Sequence, residues 1–331
     1  MTAPPVVRRG TRASRATAFA ALPVLGLLAA LPYLVAPGIT RPMVGLFALV
    51  VMASMWNLLA GYGGMISVGQ QGFIGLGAYT VLVTDLLGIS PYLGIPLAAA
   101  VAALVALPTT LLVFRLAGGY FAIGTWVVAE VYRLVTVEVG AVGGGSGASL
   151  TGLSGFDPIV RGAVTYWCAL AAAAAAIGGV FLLLRSRTGL ALTAIRDDPV
   201  SAQSSGVRVT SAKRLVFVVA AAGSGVAGAI IVLDSLRVQP DSIYSVQWSA
   251  FMIFMVVIGG LGTLEGPVLG ALVFFALQQL LEPYGAWYLV VLALVAIGAA
   301  VFARRGLWSL LTGGRDFRLL PTGHRVNDPA R

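Results

Sequence analysis

Ten apolar stretches recur along the chain, separated by short polar or glycine-rich breaks. They fall at 18–36, 43–60, 68–87, 92–114, 119–139, 163–184, 215–233, 248–258, 267–281 and 287–302. A helix needs about 20 apolar residues to cross the hydrocarbon core of a bilayer. The pattern therefore predicts an all-α fold, a polytopic transmembrane helix bundle of about ten membrane segments. The eighth and ninth stretches are short for full crossings and the third begins among glycines, so broken or re-entrant pieces are expected. Apolar sequence runs from Ala18 to Ala303 without a long polar interval. One membrane domain is expected over 18–303, between basic tails at 1–17 and 304–331.

Composition sharpens this reading. Of the 331 residues, 59% are hydrophobic and 10% charged, against about 25% charged in a soluble domain. Too few charges remain to coat a water-facing surface, so lipid faces most of it. The net charge of +9 comes almost entirely from arginine. These arginines flank apolar runs and form no single polar face, which argues for the positive-inside rule and against nucleic acid. Arg8, Arg9, Arg12 and Arg15 in one tail and Arg304, Arg305, Arg315, Arg318, Arg325 and Arg331 in the other place both termini in the cytoplasm. Ten crossings then keep every basic residue inside except Arg41, Arg161 and Arg237 outside and Arg133 within a span. The first apolar run follows basic residues as a signal peptide does. Pro23, Pro32 and Pro37 interrupt it, however, and Ala36-Pro37 is a poor cleavage context, so an uncleaved helix is expected behind a disordered tail. Cys168 and His324 are the only cysteine and histidine. They exclude an internal disulfide and a metal cluster, and Cys168 reads as a small packing residue.

No catalytic constellation is present. The single histidine lies in the tail, and neither HExxH nor GxxxxGK[ST] occurs. The chain is not expected to be an enzyme or to hold a cofactor, and any ATP-driven work would need another chain. The most informative polar segment is the cytoplasmic loop 185–214. Within it Asp198 suits an N-cap, Pro199 the first helical position and Gly206 a left-handed stop, predicting a two-turn helix. Arg185, Arg187, Arg196, Arg208, Lys213 and Arg214 flank it. Either it is a capped interfacial loop whose arginines meet lipid phosphates, or it docks a partner protein. Its length of about 30 residues favours docking, because a merely geometric connection is shorter.

Two other signals lie at membrane depth. Glycines recur at 61, 63, 64, 69, 72, 75 and 77, and again across Gly259-Gly260-Leu261-Gly262. Such glycines serve close helix packing or broken helices beside a path. Glu130 and Arg133 share a helix face at i and i+3. Each costs about 2.5–3.5 kcal/mol on a lipid-facing helix centre, so both are expected to face protein or water. They read as a structural pair or as a lining of the path. Outside, the loops 140–162 and 234–247 are long enough to receive an external partner or simply to close helices.

At these residues the chain resembles the LivM-type permeases of branched-chain amino acid importers, in the ABC transporter superfamily. The resemblance runs from about Met43 to Leu281 in four ordered blocks: NLLAGYGGMISVGQQGFIGLGAY, GGYFAIGTWVVAEVYRLV followed by GGGSG, RTGLALTAIRDDPVSAQSSGVRVTSAKRLVFVVAAAGSGVAGAI, and GGLGTLEGPVLGALV. The chain departs from the family at its middle loop, where Gly-Pro-Asn-Gly is usual and Gly144-Gly145-Ser146-Gly147-Ala148-Ser149 stands. It departs again where Gln70 and Gln71 occupy a region that often carries histidine. The resemblance implies a bacterial plasma-membrane subunit that pairs with a LivH-like permease, two cytoplasmic ATP-binding subunits and an extracytoplasmic substrate-binding protein. It makes Arg196, Asp197, Asp198, Pro199, Ala202 and Gly206 the ATPase-coupling segment. Ser67, Gln70 and Gln71, with Glu130 and Arg133, become candidates for the translocation path. The same resemblance fits leucine, isoleucine and valine, other amino acids, urea or short amides. The alternative is an ion-coupled secondary transporter acting without an ATPase. It needs ionisable groups near the midplane, and Glu130 is nearly the only carboxylate there.

Overall fold

The structure is a computed structural model that describes residues 6–8, 12–285, 287–302, 306–312 and 325–327. Arg9, Arg304, Arg305, Arg315, Arg318, His324 and Arg331, and so most of the expected tails, lie outside the described residues. In chain order the elements are β1 (Val6–Arg8), α1 (Arg12–Leu34), α2 (Pro37–Asn57) continued by a π turn (Leu58–Tyr62), and α3 (Gln70–Leu86). Next come α4 (Gly94–Val113), α5 (Gly119–Glu138), β2 (Ala148–Ser149), α6 (Pro158–Arg185), α7 (Arg187–Asp197), α8 (Pro199–Ser204) and α9 (Val209–Ser235). The chain ends with β3 (Arg237–Val238), α10 (Pro240–Ile243), α11 (Gln247–Gly259), α12 (Glu265–Leu281), α13 (Trp287–Phe302), α14 (Gly306–Leu311) and β4 (Arg325–Asn327).

Each of the ten apolar stretches is helical, and the protein is a polytopic helical bundle. Among the described residues, seven helical stretches are both long and apolar enough to cross a bilayer: 37–62, 91–113, 119–138, 158–185, 209–235, 240–259 and 265–284. α1, α3 and α13 are not among them: α3 has 17 residues, and the apolar helical stretches described within α1 and α13 are Leu22–Leu34 and Leu289–Ala299. α1 starts at Arg12, so the helix extends into the segment expected to be a disordered tail.

Burial separates centre from periphery. Buried residues make up 89% of the apolar window of the α2 stretch and 61% of that of α9, against 17% of that of α5. α3, α4 and α2 all pack on α9. The α3–α9 contact depends on glycine. A methyl group at Gly77 would overlap the Gly225 carbonyl, and one at Gly228 would overlap the Ile74 carbonyl. Backbones this close exclude any side chain at either position, the close-packing use of small residues in membranes.

At the end of the bundle where α3, α5 and α9 terminate, β2 and β3 pair antiparallel with Ala148 opposite Val238. A second short ladder joins β1 and β4, with Val7 opposite Val326. The long loop after α5 is tied down further by Asp85 at the end of α3. The carboxylate of Asp85 accepts the amides of Thr151 and Gly152 at 2.8 Å each. It is 8% exposed, so these two amides take over from water as its partners.

Candidate functional site

The segment expected to couple to an ATP-binding subunit is built from two short helices. Ser186 caps α7, its Oγ accepting the Thr188 amide at 3.2 Å. Asp197 closes α7. Asp198 then caps α8, accepting the Val200 amide at 2.9 Å and the Ser201 hydroxyl at 2.5 Å, with Pro199 in the first helical position. The Ser201 hydroxyl, followed by the amides of Val200 and Ser201, holds the Asp198 carboxyl below the usual carboxylate range. At the far end Gly206 stands at φ 84°. Its amide reaches the Gln203 carbonyl and the Val207 amide reaches Ala202, at 3.0 and 3.1 Å. These paired bonds satisfy the orphan carbonyls of the helix end as a Schellman motif does.

This segment has two faces. Leu192, Ile195 and Ala202 are 0, 2 and 4% exposed and turn inward, where α7 packs on α6, α9 and the π turn, and α8 on α9. Val200 is 74% exposed and Leu190 52%. Ala202, expected among the ATPase-coupling residues, is thus part of the seat that holds α8 to its own chain. Val200 is the apolar side chain that α8 presents outward. A cleft of about 380 Å³ opens at the same end of the bundle, between Met65, Phe114, Phe121, Thr210 and Lys213.

Arg196 extends from the end of α7 towards the turn between α11 and α12. Its Nη1 would stand 3.7 Å from a Cβ at Gly262. That turn runs through Gly260 at φ 131° and Gly262 at φ 76°, conformations that favour glycine. Thr263 fastens it, donating to the Gly260 carbonyl at 2.9 Å and accepting the Gly266 amide at 3.0 Å. Across from it stands Asn57, the last residue of α2 before the π turn. Asn57 is 1% exposed, donates to the Thr263 carbonyl at 2.8 Å and accepts the Gly262 amide at 2.9 Å. Sequence reading missed Asn57 because its partners lie more than 200 positions away. The available signal was an amide embedded in an apolar run, since a buried polar side chain in a membrane must find a partner.

Ser67, Gln70 and Gln71 are 0, 0 and 1% exposed. They lie at the broken entry to α3, where Trp56 donates to the Ser67 carbonyl at 2.8 Å and the Val68 amide donates to the Thr125 hydroxyl at 3.2 Å. Gln70 donates to Ser67 Oγ at 3.4 Å and accepts from Ser224 of α9 at 3.1 Å. Gln71 accepts a short bond from Ser249 of α11. In this conformation the three residues join α3 to α9 and α11, with no exposed surface of their own.

Glu130 and Arg133 sit on the open side of α5, apart from this network. Arg133 donates from Nε and Nη2 to Glu130 Oε1 at 2.8 and 2.6 Å, and from Nη1 to Asp241 at 2.7 Å. The expected pair is therefore a triad, and Asp241 on α10 is the member that sequence spacing did not reveal. The Glu130 side chain is 44% exposed and that of Asp241 70%.

Comparison with known proteins places these features in one family. The model for "Branched-chain amino acid transport system / permease component" matches residues 39–301. The high-affinity branched-chain amino acid transport system permease protein LivM of Salmonella typhimurium is 25% identical over 311 residues, covering 86% of this chain and 73% of the relative. LivM of Escherichia coli aligns with the same identity and coverage. A probable branched-chain amino acid transport permease protein LivM of Methanocaldococcus jannaschii is 25% identical over 51% of this chain and 50% of its own length. No solved structure matches the chain significantly. With the family model covering most of the length and the four sequence blocks inside the matched span, the chain belongs to the branched-chain amino acid transport system permease family.

Proposed function

We propose that the chain is a permease subunit of an ATP-driven ABC importer and forms part of the path for branched-chain amino acids or similar small polar solutes. The observation that carries this reading is the coupling segment. A helix of six residues, capped at both ends and seated on α7 and α9, presents Val200 outward. A short rigid body of this kind transmits a push, whereas a flexible loop absorbs it. In this reading, Arg196, Asp197, Asp198, Pro199, Ala202 and Gly206 shape the segment that meets an ATP-binding subunit, and Val200 is its contact knob.

The same reading assigns ten crossings, with α1, α3 and α13 added to the seven long stretches, and places both termini and loop 185–214 in the cytoplasm. Residues 18–303 form the permease domain between the two basic tails. A second, LivH-like permease subunit covers the open side of α5, where Glu130, Arg133 and Asp241 then face protein or the aqueous path. Ser67, Gln70 and Gln71 change partners as the path opens. Two cytoplasmic ATP-binding subunits supply hydrolysis, and an extracytoplasmic binding protein delivers solute to the outer loops of a bacterial plasma-membrane complex.

Co-purification tests the docking step. The wild-type chain, expressed with its second permease and ATP-binding subunits, is expected to retain the ATP-binding subunits through size exclusion. Val200→Arg is expected to lose them while still pairing with the second permease. Retention of the ATP-binding subunits by Val200→Arg at wild-type stoichiometry would reject α8 as the docking element.

A further inference from the structure

A transport subunit driven from the cytoplasm must carry movement of its coupling segment to the helices that open and close. This inference rests on that reading. Three observations converge on the turn between α11 and α12. Arg196 extends from the end of α7 to lie beside Gly262. Asn57 grips both Gly262 and Thr263 through its single side-chain amide. Gly61, one turn further along, approaches the same place so closely that a Cβ there would lie 2.6 Å from the Gly262 nitrogen and collide with the Asn57 amide oxygen. Three parts of the chain, residues 57–61, 196 and 260–264, thus meet, with no room for a side chain at Gly61 and with Arg196 in ordinary contact range of Gly262.

The backbone on both sides of this contact is suited to move as a unit. α2 leaves its regular helix at the π turn 58–62, a local widening often found at functional positions. The turn itself is closed by Thr263, which ties Gly260 to the start of α12. α7 packs directly on the π turn. A displacement of α7 therefore meets the π turn and the α11–α12 turn together, while Asn57 prevents the two from separating.

We infer that Asn57 is a positioning residue that locks the end of α2 to the α11–α12 turn, so that movement of the coupling segment reaches α11 and α12 as one rigid shift. Asn57 touches no solute in this role. Its two bonds need a donor and an acceptor on one planar group. Asn57→Asp keeps the acceptor for Gly262 but loses the donor to Thr263, and Asn57→Ala loses both.

The test uses the full complex in liposomes, with ATP hydrolysis and amino-acid uptake measured on the same preparation. Asn57→Ala is expected to assemble and to hydrolyse ATP within twofold of wild type, while uptake per ATP falls at least tenfold. Asn57→Asp is expected to lie between the two. A proportional fall of hydrolysis and uptake, unchanged uptake per ATP, or failure of Asn57→Ala to assemble would each overturn the assignment of this variant's effect to coupling. A second measurement uses the wild-type sequence apart from two pairs of spin labels, Leu190 with Leu261 and Leu190 with Phe156 of loop 140–162, all exposed. The Leu190–Leu261 separation is expected to stay constant between nucleotide-free and ATP-bound complexes while the Leu190–Phe156 separation changes. A changing Leu190–Leu261 separation shows that α7 and the turn move independently and overturns the inference outright. A chain that recruits no ATP-binding subunit removes the transport reading itself, and is recognised by the absence of any nucleotide effect on either distance.

Discussion

Replacing Asp85 by asparagine tests how the loop after α5 is held. The carboxylate accepts two backbone amides, those of Thr151 and Gly152, each at 2.8 Å. Asparagine offers one carbonyl oxygen and one amide donor in the same volume, so one backbone amide loses its acceptor and faces another donor. A hydrogen bond to a charged group contributes about 1.5–3 kcal/mol, which puts the loss near 2 kcal/mol. Since about 1.4 kcal/mol corresponds to a factor of ten, local opening of the loop should become about 30-fold more frequent. Hydrogen exchange read by mass spectrometry over 148–156, in purified protein, measures that opening directly. The bundle core, especially α9, should keep its wild-type protection, because Asp85 binds the loop from the end of α3 and not from the α3–α9 contact. Unchanged exchange at Thr151 and Gly152 would refute the latch. An equal rise across α9 would refute its confinement to the loop.

Three further outcomes follow from the geometry. Ala202→Arg buries a charged side chain where Ala202 is 4% exposed, and limited proteolysis should cut within 198–208 faster than in the Val200→Arg protein. Gly77→Val sets a Cβ against the Gly225 carbonyl; since overpacking typically costs about 1–3 kcal/mol, thermal unfolding of the purified chain should shift down, and an unshifted midpoint would reject the contact. Asp198 has a lowered native pKa, so its cap contributes fully above the ordinary carboxylate value of about 3.9 and is lost as pH falls through the native value. Exchange at the Val200 amide should therefore show no extra protection loss between about pH 5 and 8, with loosening only in more acid solution.

The elements were legible where signals are local. The apolar runs became helices, and Asp198, Pro199 and Gly206 mark the start, first turn and left-handed stop of α8 as their spacing predicts. α7 was less visible because its helical character is carried by the Ser186 cap and by an inward face of Leu192 and Ile195, in a stretch whose arginines suggest an open loop. Membrane crossings were harder to count than helices. α3 is short because Gly63 to Gly69 enters the bundle without regular helix, and α11 gains a crossing length only with the preceding α10. The candidate site was least legible, since its contacts join distant segments. Gln70 meets Ser224, Gln71 meets Ser249, Arg133 meets Asp241, and Asn57 meets Gly262 and Thr263. A polar residue in an apolar run announces that a partner is required; it does not say which one.

The central claim is that ATP hydrolysed by partner subunits drives solute through a path to which this chain contributes. Uptake of radiolabelled leucine into liposomes, containing this chain with its second permease, ATP-binding subunits and binding protein, tests it most directly. The account predicts uptake that requires both ATP and the binding protein and stops when a non-hydrolysable ATP analogue is substituted. Uptake by this chain alone, driven by an ion gradient and indifferent to ATP, would contradict it.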